Sequence, residues 1–520
     1  VQPIVLEDEN TELDDVVAVA RSGCEVMLSE RARRRMSQGR QFIDEVVQNR
    51  EVVYGVTTGF GKFSETRISG PETRQLQQNL IRSHAVGVGD PLPEEVVRAT
   101  IFLRALALSR GHSGIRPEIV DRLLDLLNRQ ITPVMPEQGS LGASGDLAPL
   151  AHMALVLTGE GEAVYDGDRY PAAEALQMAG LSPLKLEARE GLALINGTQV
   201  MTALGVLALR DAEVLSKSAD VIGSLSLEAL RGIIDAFDER IASLRPHPGH
   251  ARSAQNIRLL TAGSDFITRQ GEIRVQDGYS VRCMAQVHGA VRDALKYIST
   301  VLKREIGAVT DNPLVFPAEG DVLSGGNFHG EPVALVLDHL SLAVSEVGSI
   351  SERRTERLLN PAYSAGLPPF LTERGGLNSG LMITQYTAAS LVAENKLLAS
   401  PASADSIPSS AGQEDHVSMG TTSARQARAA VKNLSRVLAV EAISAAQGVD
   451  LRRVDMPNAS LGRGTRPAHS WIRQMVSHLE DDRTLSEEVQ ELGDALLRGE
   501  ILNAVEEGGK GEADGPDTTT

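Results

Sequence analysis

The sequence predicts a mainly α protein, a bundle of long helices over residues 111–505 behind a smaller mixed region at residues 1–110. Three observations predict it. Apolar residues recur with the helical period through several segments longer than about 25 residues that contain no Pro. Strand-like and helix-like segments do not alternate, as they would in a parallel α/β sheet. The periodic runs are separated by short stretches rich in Gly, Pro, Ser and Asn, which punctuate helices.

Along the chain, residues 1–110 mix short apolar runs such as "CEVMLSE" and "EVVYGVTTGFG" with helical stretches such as "PETRQLQQNLIRSHAV". From about Pro117 the helical period takes over. It runs through "EIVDRLLDLLNRQI", "TQVMTALGVLALRDAEVLSKSADVIGSLSLEALRGIIDAF", "VHGAVRDALKYISTVLKREIGAV", "EPVALVLDHLSLAVSEVGSISERRTERLL" and "SARQARAAVKNLSRVLAVEAISAAQGVDL". Between them lie "PEQGSLGASGD", "RPHPGHARSAQN", "SGGNFHGEP" and "SADSIPSSAGQEDH", polar loops on which a site can be assembled from distant segments. Residues 506–520, "EEGGKGEADGPDTTT", read as a disordered acidic tail.

With 520 residues, 42% of them hydrophobic, the chain can bury a large core. A formal net charge of -18 repels phosphate backbones and anionic headgroups, so neither nucleic acid nor a membrane surface is an expected partner. Cys24 and Cys283 form no C-x-x-C pair, and the acidic N-terminus lacks the pattern of a signal peptide. A cytoplasmic location is expected. Two uncharged segments, residues 191–209 and 375–393, carry too much Asn, Gln, Thr and Gly for a spanning helix and read as helices wrapped by other helices.

The most unusual stretch is "GSLGASGDLAPL", residues 139–150. It lacks the G-x-S-x-G order of a nucleophile elbow. "TTGFGKFS", with Gly59, Gly61 and Lys62, fits neither a P-loop nor a dinucleotide fingerprint, and "HPGH" at 247–250 lacks a third metal ligand, so no metal is expected. Ala143, Ser144 and Gly145 suit a different chemistry. In a tight bend the Gly145 amide nitrogen can attack the Ala143 carbonyl, whose oxygen leaves as water, and loss of a second water strips the Ser144 hydroxyl, leaving a ring with an exocyclic methylidene. Glycine allows the bend and offers an unhindered nitrogen, alanine is small, and serine supplies the leaving group. Asp146 is expected to cap the helix that follows.

"GSLGASGDLAPLAHMALVLTGEG" resembles the signature of the aromatic amino acid ammonia-lyases and aminomutases. Their Ala-Ser-Gly becomes 4-methylideneimidazol-5-one (MIO). The resemblance continues from about Tyr54 to Arg453 through "YGVTTGFG", "LQQNLIRSHAVGVG", "EGLALINGTQ", "QDGYSVRCMAQVHGA", "TDNPLVF", "SGGNFHGEP" and "QEDHVSMG". It implies a fumarase/aspartase-like helical architecture and a homotetramer with active sites shared between subunits. It also implies MIO built from Ala143, Ser144 and Gly145, with no metal or dissociable cofactor.

Within the family, Ser83-His84 and the "QEDH" at 413–416 are similar to the members that act on L-histidine, which lose ammonia to give trans-urocanate. The alternative is a tyrosine or phenylalanine lyase or 2,3-aminomutase. Chemistry favours histidine, because its imidazole can pair with Glu414 and His84, whereas a phenyl ring would leave a buried carboxylate unpaired. The resemblance implies that Tyr54 and Tyr279 are catalytic and that Arg282 grips the substrate carboxylate. Asn196, Gln276, Phe328, Met382, Gln413 and His84 are implied to line the substrate site. Glu414 is the implied imidazole partner, and the base that takes the β-proton is either Tyr54 or Glu414. Gly412 departs from the usual Asn, Gly278 from a frequent Pro, and "VTTGFG" from the commoner "INTGFG".

Overall fold

A computed structural model describes residues 3–7, 11–49, 51–59, 68 and 72–510. It is mainly helical, as the periodicity predicts, and the chain divides into two compact units that interleave in sequence. The first comprises Val1–Leu207, Ser299–Asp338 and Pro401–Arg425, and the second Ala208–Ile298, His339–Ser400 and Gln426–Thr520. The long helices Gln199–Ala229, Met284–Ile306, Glu331–Leu359 and Gly420–Asp455 each contribute residues to both. Residue 110 falls inside the first unit, between the helices Glu94–Ser109 and Pro117–Asn128.

In the first unit, the helix Glu94–Ser109 is buried along its whole length from Val96 onward, because its sequence is apolar nearly all round. Its two arginines are absorbed by carbonyls. Arg98 donates to Val19 O at 3.0 Å and to Leu127 O at 3.2 Å, where neighbouring helices end. Arg104 donates to Ala193 O and, at 2.9 Å, to Gln199 Oε1. Small sheets fringe this unit. Ile4–Leu6 pairs in parallel with Val26–Leu28, and Val88–Pro91 runs antiparallel to Pro136–Gln138. Thr132–Pro133, Glu162–Tyr165 and Asp168–Pro171 form a three-stranded sheet whose hairpin turns at Asp166 and Gly167, both at positive φ. Leu314–Phe316 pairs with Asp321–Leu323.

The second unit buries charge as well as hydrocarbon. Arg354 and Glu441 are both fully buried and pair in two hydrogen bonds, while the hydroxyls of Ser226 and Ser351 occupy the remaining carboxylate lone pairs. His288 donates to Asp220 at 2.8 Å, and burial holds the imidazole below its ordinary pKa. The single tryptophan, Trp471, is half-buried on the helix Thr465–Met475, which packs against Glu500–Lys510.

Several boundaries differ from expectation for local reasons. The long run beginning near residue 199 stops at Ala229, and Arg231 turns to φ 50° before a separate 3-10 turn, Ile234–Phe237. The uncharged segment 191–209 is two helices, Glu190–Ile195 and Gln199–Ala229, broken at residues 196–198. Segment 375–393 becomes helical only at Met382. Of the described helices, Glu331–Leu359 is the one long and apolar enough to cross a membrane, and 61% of its apolar window is buried in the fold. Of the expected tail, residues 506–510 continue the helix Glu500–Lys510, and residues 511–520 lie outside the described residues.

Candidate active site

Ala143, Ser144 and Gly145 occupy the bend between the strand Pro136–Gln138 and the helix Leu147–Leu157. Gly145 sits at φ +73°, and a Cβ there would meet Gly197 O at 2.2 Å, so backbone lies directly on backbone. The Asp146 amide donates to the same Gly197 carbonyl at 2.7 Å. Opposite, Ser418 Oγ donates to Gly142 O at 3.2 Å, and the Met419 amide donates to Leu141 O at 3.1 Å. The bend is held from two sides.

Asp146 corrects the sequence expectation. It makes no side-chain cap to its own helix; its Oδ2 accepts the Val200 and Met201 amides, each at 2.9 Å, and so caps Gln199–Ala229 instead. Its Oδ1 accepts from Ser140 Oγ at 3.0 Å and from Thr421 Oγ1. The carboxyl is fully buried, and burial lifts its pKa above the ordinary value against the pull of these hydrogen bonds. It ties the bend to the break at residues 196–198, where Asn196 stands. That break is braced in turn by Arg104 on Gln199 Oε1 and by Gln199 Nε2, which donates to Thr310 Oγ1 at 2.7 Å.

Two distant segments bond to Ser144, and a third, carrying His84, lines the same cavity. Asn196 Nδ2 donates to Ser144 O at 3.0 Å, while its buried Oδ1 has no hydrogen-bond partner among the described residues. Ser144 Oγ donates to Glu414 Oε1 at 2.9 Å, and Ser409 Oγ donates to Glu414 Oε2 at 3.0 Å. His84 ends the helix Thr73–His84. Its Nδ1 lies 2.8 Å from Leu80 O and 3.1 Å from Ser83 Oγ, contacts that assign the proton to Nδ1 and leave Nε2 as an acceptor. Burial lowers the His84 pKa, offset by the Leu80 carbonyl and the charge of Glu414.

These groups open onto one cavity of about 1140 Å³, lined by Tyr54, His84, Ser144, Asn196, Phe328, Gln413 and Glu414, all from the first unit. Ala143 and Gly145 form its buried bend. The structure does not bring the remaining expected residues to this cavity. Gln276, Tyr279, Arg282 and Met382 belong to the second unit, where Arg282 donates to Asp277 O at 3.0 Å and lies 4.7 Å over the Tyr279 ring. Tyr279 is 71% exposed. Gly61 and Lys62 lie outside the described residues.

Sequence reasoning missed Gln77, Ser409 and Thr421. Gln77 Oε1 accepts the Gly191 and Leu192 amides, fastening the His84 helix to Glu190–Ile195. No local signal separates Gln77 from its neighbour Gln78. The departure at Gly412 has a conformational reading: its φ is +85°, after Ser410 and Ala411 at 49° and 54°, and both Gly and Asn tolerate such values.

A model of the family described as aromatic amino acid lyase matches residues 11–474. The chain belongs to the aromatic amino acid lyase family. Among aromatic amino acid lyases it is 55% identical over 506 residues to the histidine ammonia-lyase of Caldanaerobacter subterraneus subsp. tengcongensis, covering 97% of this chain and 99% of that one. Histidine ammonia-lyase from Trypanosoma cruzi superposes with a TM-score of 0.89 at 41% identity, covering 98% and 96%. Tyrosine aminomutase from Streptomyces globisporus superposes with a TM-score of 0.93 at 37% identity, covering 97% and 98%.

Proposed function

We propose that this chain is a histidine ammonia-lyase, eliminating ammonia from L-histidine to give trans-urocanate. The observation that carries the reading is the pairing of Glu414 with Ser144 beside His84, in a chain more than half identical to histidine ammonia-lyases over nearly its full length. A carboxylate and a neutral imidazole acceptor in one cavity match the two N–H groups of a histidine side chain in its imidazolium form and mismatch a phenyl ring.

The residues of the bend fit MIO. Gly145 already holds a positive φ under a backbone contact that excludes a side chain, and Ser144 presents its hydroxyl to the Glu414 carboxylate. MIO, when formed from Ala143, Ser144 and Gly145, supplies an electrophile for the substrate amine. Asn196 Nδ2 holds the Ser144 carbonyl, and its unpartnered Oδ1 is an acceptor for the substrate ammonium. Glu414 and His84 Nε2 orient the imidazole. Ring closure removes the Ser144 hydroxyl and frees Glu414 Oε1 to accept from the substrate imidazole, while Tyr54, on the wall of the same cavity, takes the proton from Cβ. Phe328 and Gln413 shape the wall.

Arg282 holds the substrate carboxylate, with Tyr279 beside it and Gln276 and Met382 completing the site. In our reading they come from neighbouring copies in a homotetramer. Large apolar side chains that stand exposed on the second unit support this, among them Tyr386 at 62% and Leu397 at 72%. The chemistry has no call for nucleic acid or membrane, and a cytoplasmic setting suits two free cysteines.

The test is incubation of the purified chain with L-histidine, L-tyrosine and L-phenylalanine, together with intact mass spectrometry. Urocanate from histidine alone is expected, from a chain lighter than its translation by two waters. Coumarate, cinnamate or a β-amino acid overturns the substrate; an undiminished mass overturns MIO.

A further inference from the structure

We propose that His329, Glu331 and His416 form a binding site for one divalent transition-metal ion of the zinc class, fastening the segment that carries Glu414 to the segment that carries Phe328. Each residue offers a donor atom, and the three atoms lie within 4.8 Å of one another. Zinc takes imidazole nitrogen and carboxylate oxygen at about 2.0–2.2 Å, and one ion placed among three donors this close can be reached by all of them. The two imidazole rings stand 5.6 Å apart at 31°.

The current partners of these groups are weak or missing. His329 Nε2 reaches His416 O only at 3.3 Å, and the Glu331 amide reaches His329 Nδ1 only at 3.3 Å, both at the long limit of a hydrogen bond. Glu331 Oε2 is buried and has no hydrogen-bond partner among the described residues. A carboxylate oxygen removed from water without a donor is costly, and a cation coordinated there removes the cost.

Ligand chemistry sets the class of ion. Two imidazoles and one carboxylate suit zinc, cobalt or nickel, whereas magnesium and calcium prefer all-oxygen sites. Three protein ligands leave an open position for water. Glu331 is the first residue of its helix, whose N-terminal field opposes a cation, so its negative charge is the ligand the site can least lose.

The framework around the donors is firm. The His329 amide closes a turn on Gly326 O at 2.9 Å, and beside His416 the Val417 amide donates to Ser406 Oγ at 3.0 Å. His329 follows Phe328 directly, and His416 lies two residues beyond Glu414, so occupancy joins the two stretches of wall that frame the cavity. The ion takes no part in the elimination.

Calorimetric titration of the metal-stripped full-length protein with Zn²⁺ tests the site, with the visible spectrum of Co²⁺ as a second readout. The proposal expects one ion per chain, a cobalt spectrum of low coordination number, and at least tenfold weaker binding in both His416→Ala and Glu331→Gln. Because His416 is exposed, its replacement should leave the fold intact and carries the test should Glu331→Gln misfold. Ser144→Ala should bind the ion as the parent does, since the site stands apart from the lyase reading. Absence of saturable binding, or binding undiminished in His416→Ala, overturns the proposal.

Discussion

At the scale of single residues, function rests on atoms that cannot move without breaking a contact. In Gly145→Ala the new Cβ meets Gly197 O at 2.2 Å on a backbone held at φ +73°. The left-handed conformation alone costs about 1–2 kcal/mol. We expect the variant to retain its full translated mass and to melt below the parent, measured by intact mass spectrometry and calorimetry. Glu228 makes a prediction about pH. It lies fully buried near the end of Gln199–Ala229, and burial pushes its carboxyl up to about 7 despite the hydroxyls of Ser264 and Thr465 and the Gly462 amide. An unfolded glutamate titrates near ~4.3. The folded pKa is raised, so the stability tied to the neutral acid is whole below pH ~4.3 and is lost as pH rises through about 7. Glu228→Gln keeps an acceptor for Gly462 and removes the titration. Its thermal midpoint should lose this part of the decline between mildly acidic and neutral pH; a slope unchanged from the parent would count against the assignment.

At the scale of elements, the helix Thr73–His84 shows how a catalytic side chain is aimed from behind. Gln77 satisfies two amides at the start of Glu190–Ile195. Gln77→Ala orphans both, at about 1–3 kcal/mol for each buried donor. A lower denaturation midpoint and a raised KM for histidine are expected, the second because His84 rides on the same helix. The helices themselves were largely legible. The apolar period of "EPVALVLDHLSLAVSEVGSISERRTERLL" coincides with Glu331–Leu359, and that of "SARQARAAVKNLSRVLAVEAISAAQGVDL" lies within Gly420–Asp455. Less legible were their interruptions. The break at residues 196–198 has a local sign in Asn196-Gly197, but the partners that hold it, Asp146 and Arg104, lie far away in sequence and leave no local trace. For the same reason Asp146 read as the cap of its own helix. The Tyr54, His84, Ser144, Asn196, Phe328, Gln413 and Glu414 wall was recoverable from motif order, whereas the hydroxyls of Ser409 and Thr421 that secure it are ordinary loop and helix serines and threonines until the fold brings them in.

At the scale of the whole molecule, the prediction concerns how copies combine. If one copy supplies Ser144 and another Arg282, then Ser144→Ala and Arg282→Ala are each inactive alone. Co-expressed, the two should recover about a quarter of parental activity, the share of sites that receive both intact halves by chance. No recovery in mixed assemblies, verified by native mass, would place all the groups of a site in a single copy. Trp471 bears on how any such reassembly is followed. The only indole of the chain sits among the C-terminal helices of the second unit, and every residue of the Ser144 cavity belongs to the first. Tryptophan fluorescence is therefore a local reporter: a preparation whose emission has returned to its native wavelength has proved the C-terminal packing and nothing about the chamber where substrate is held.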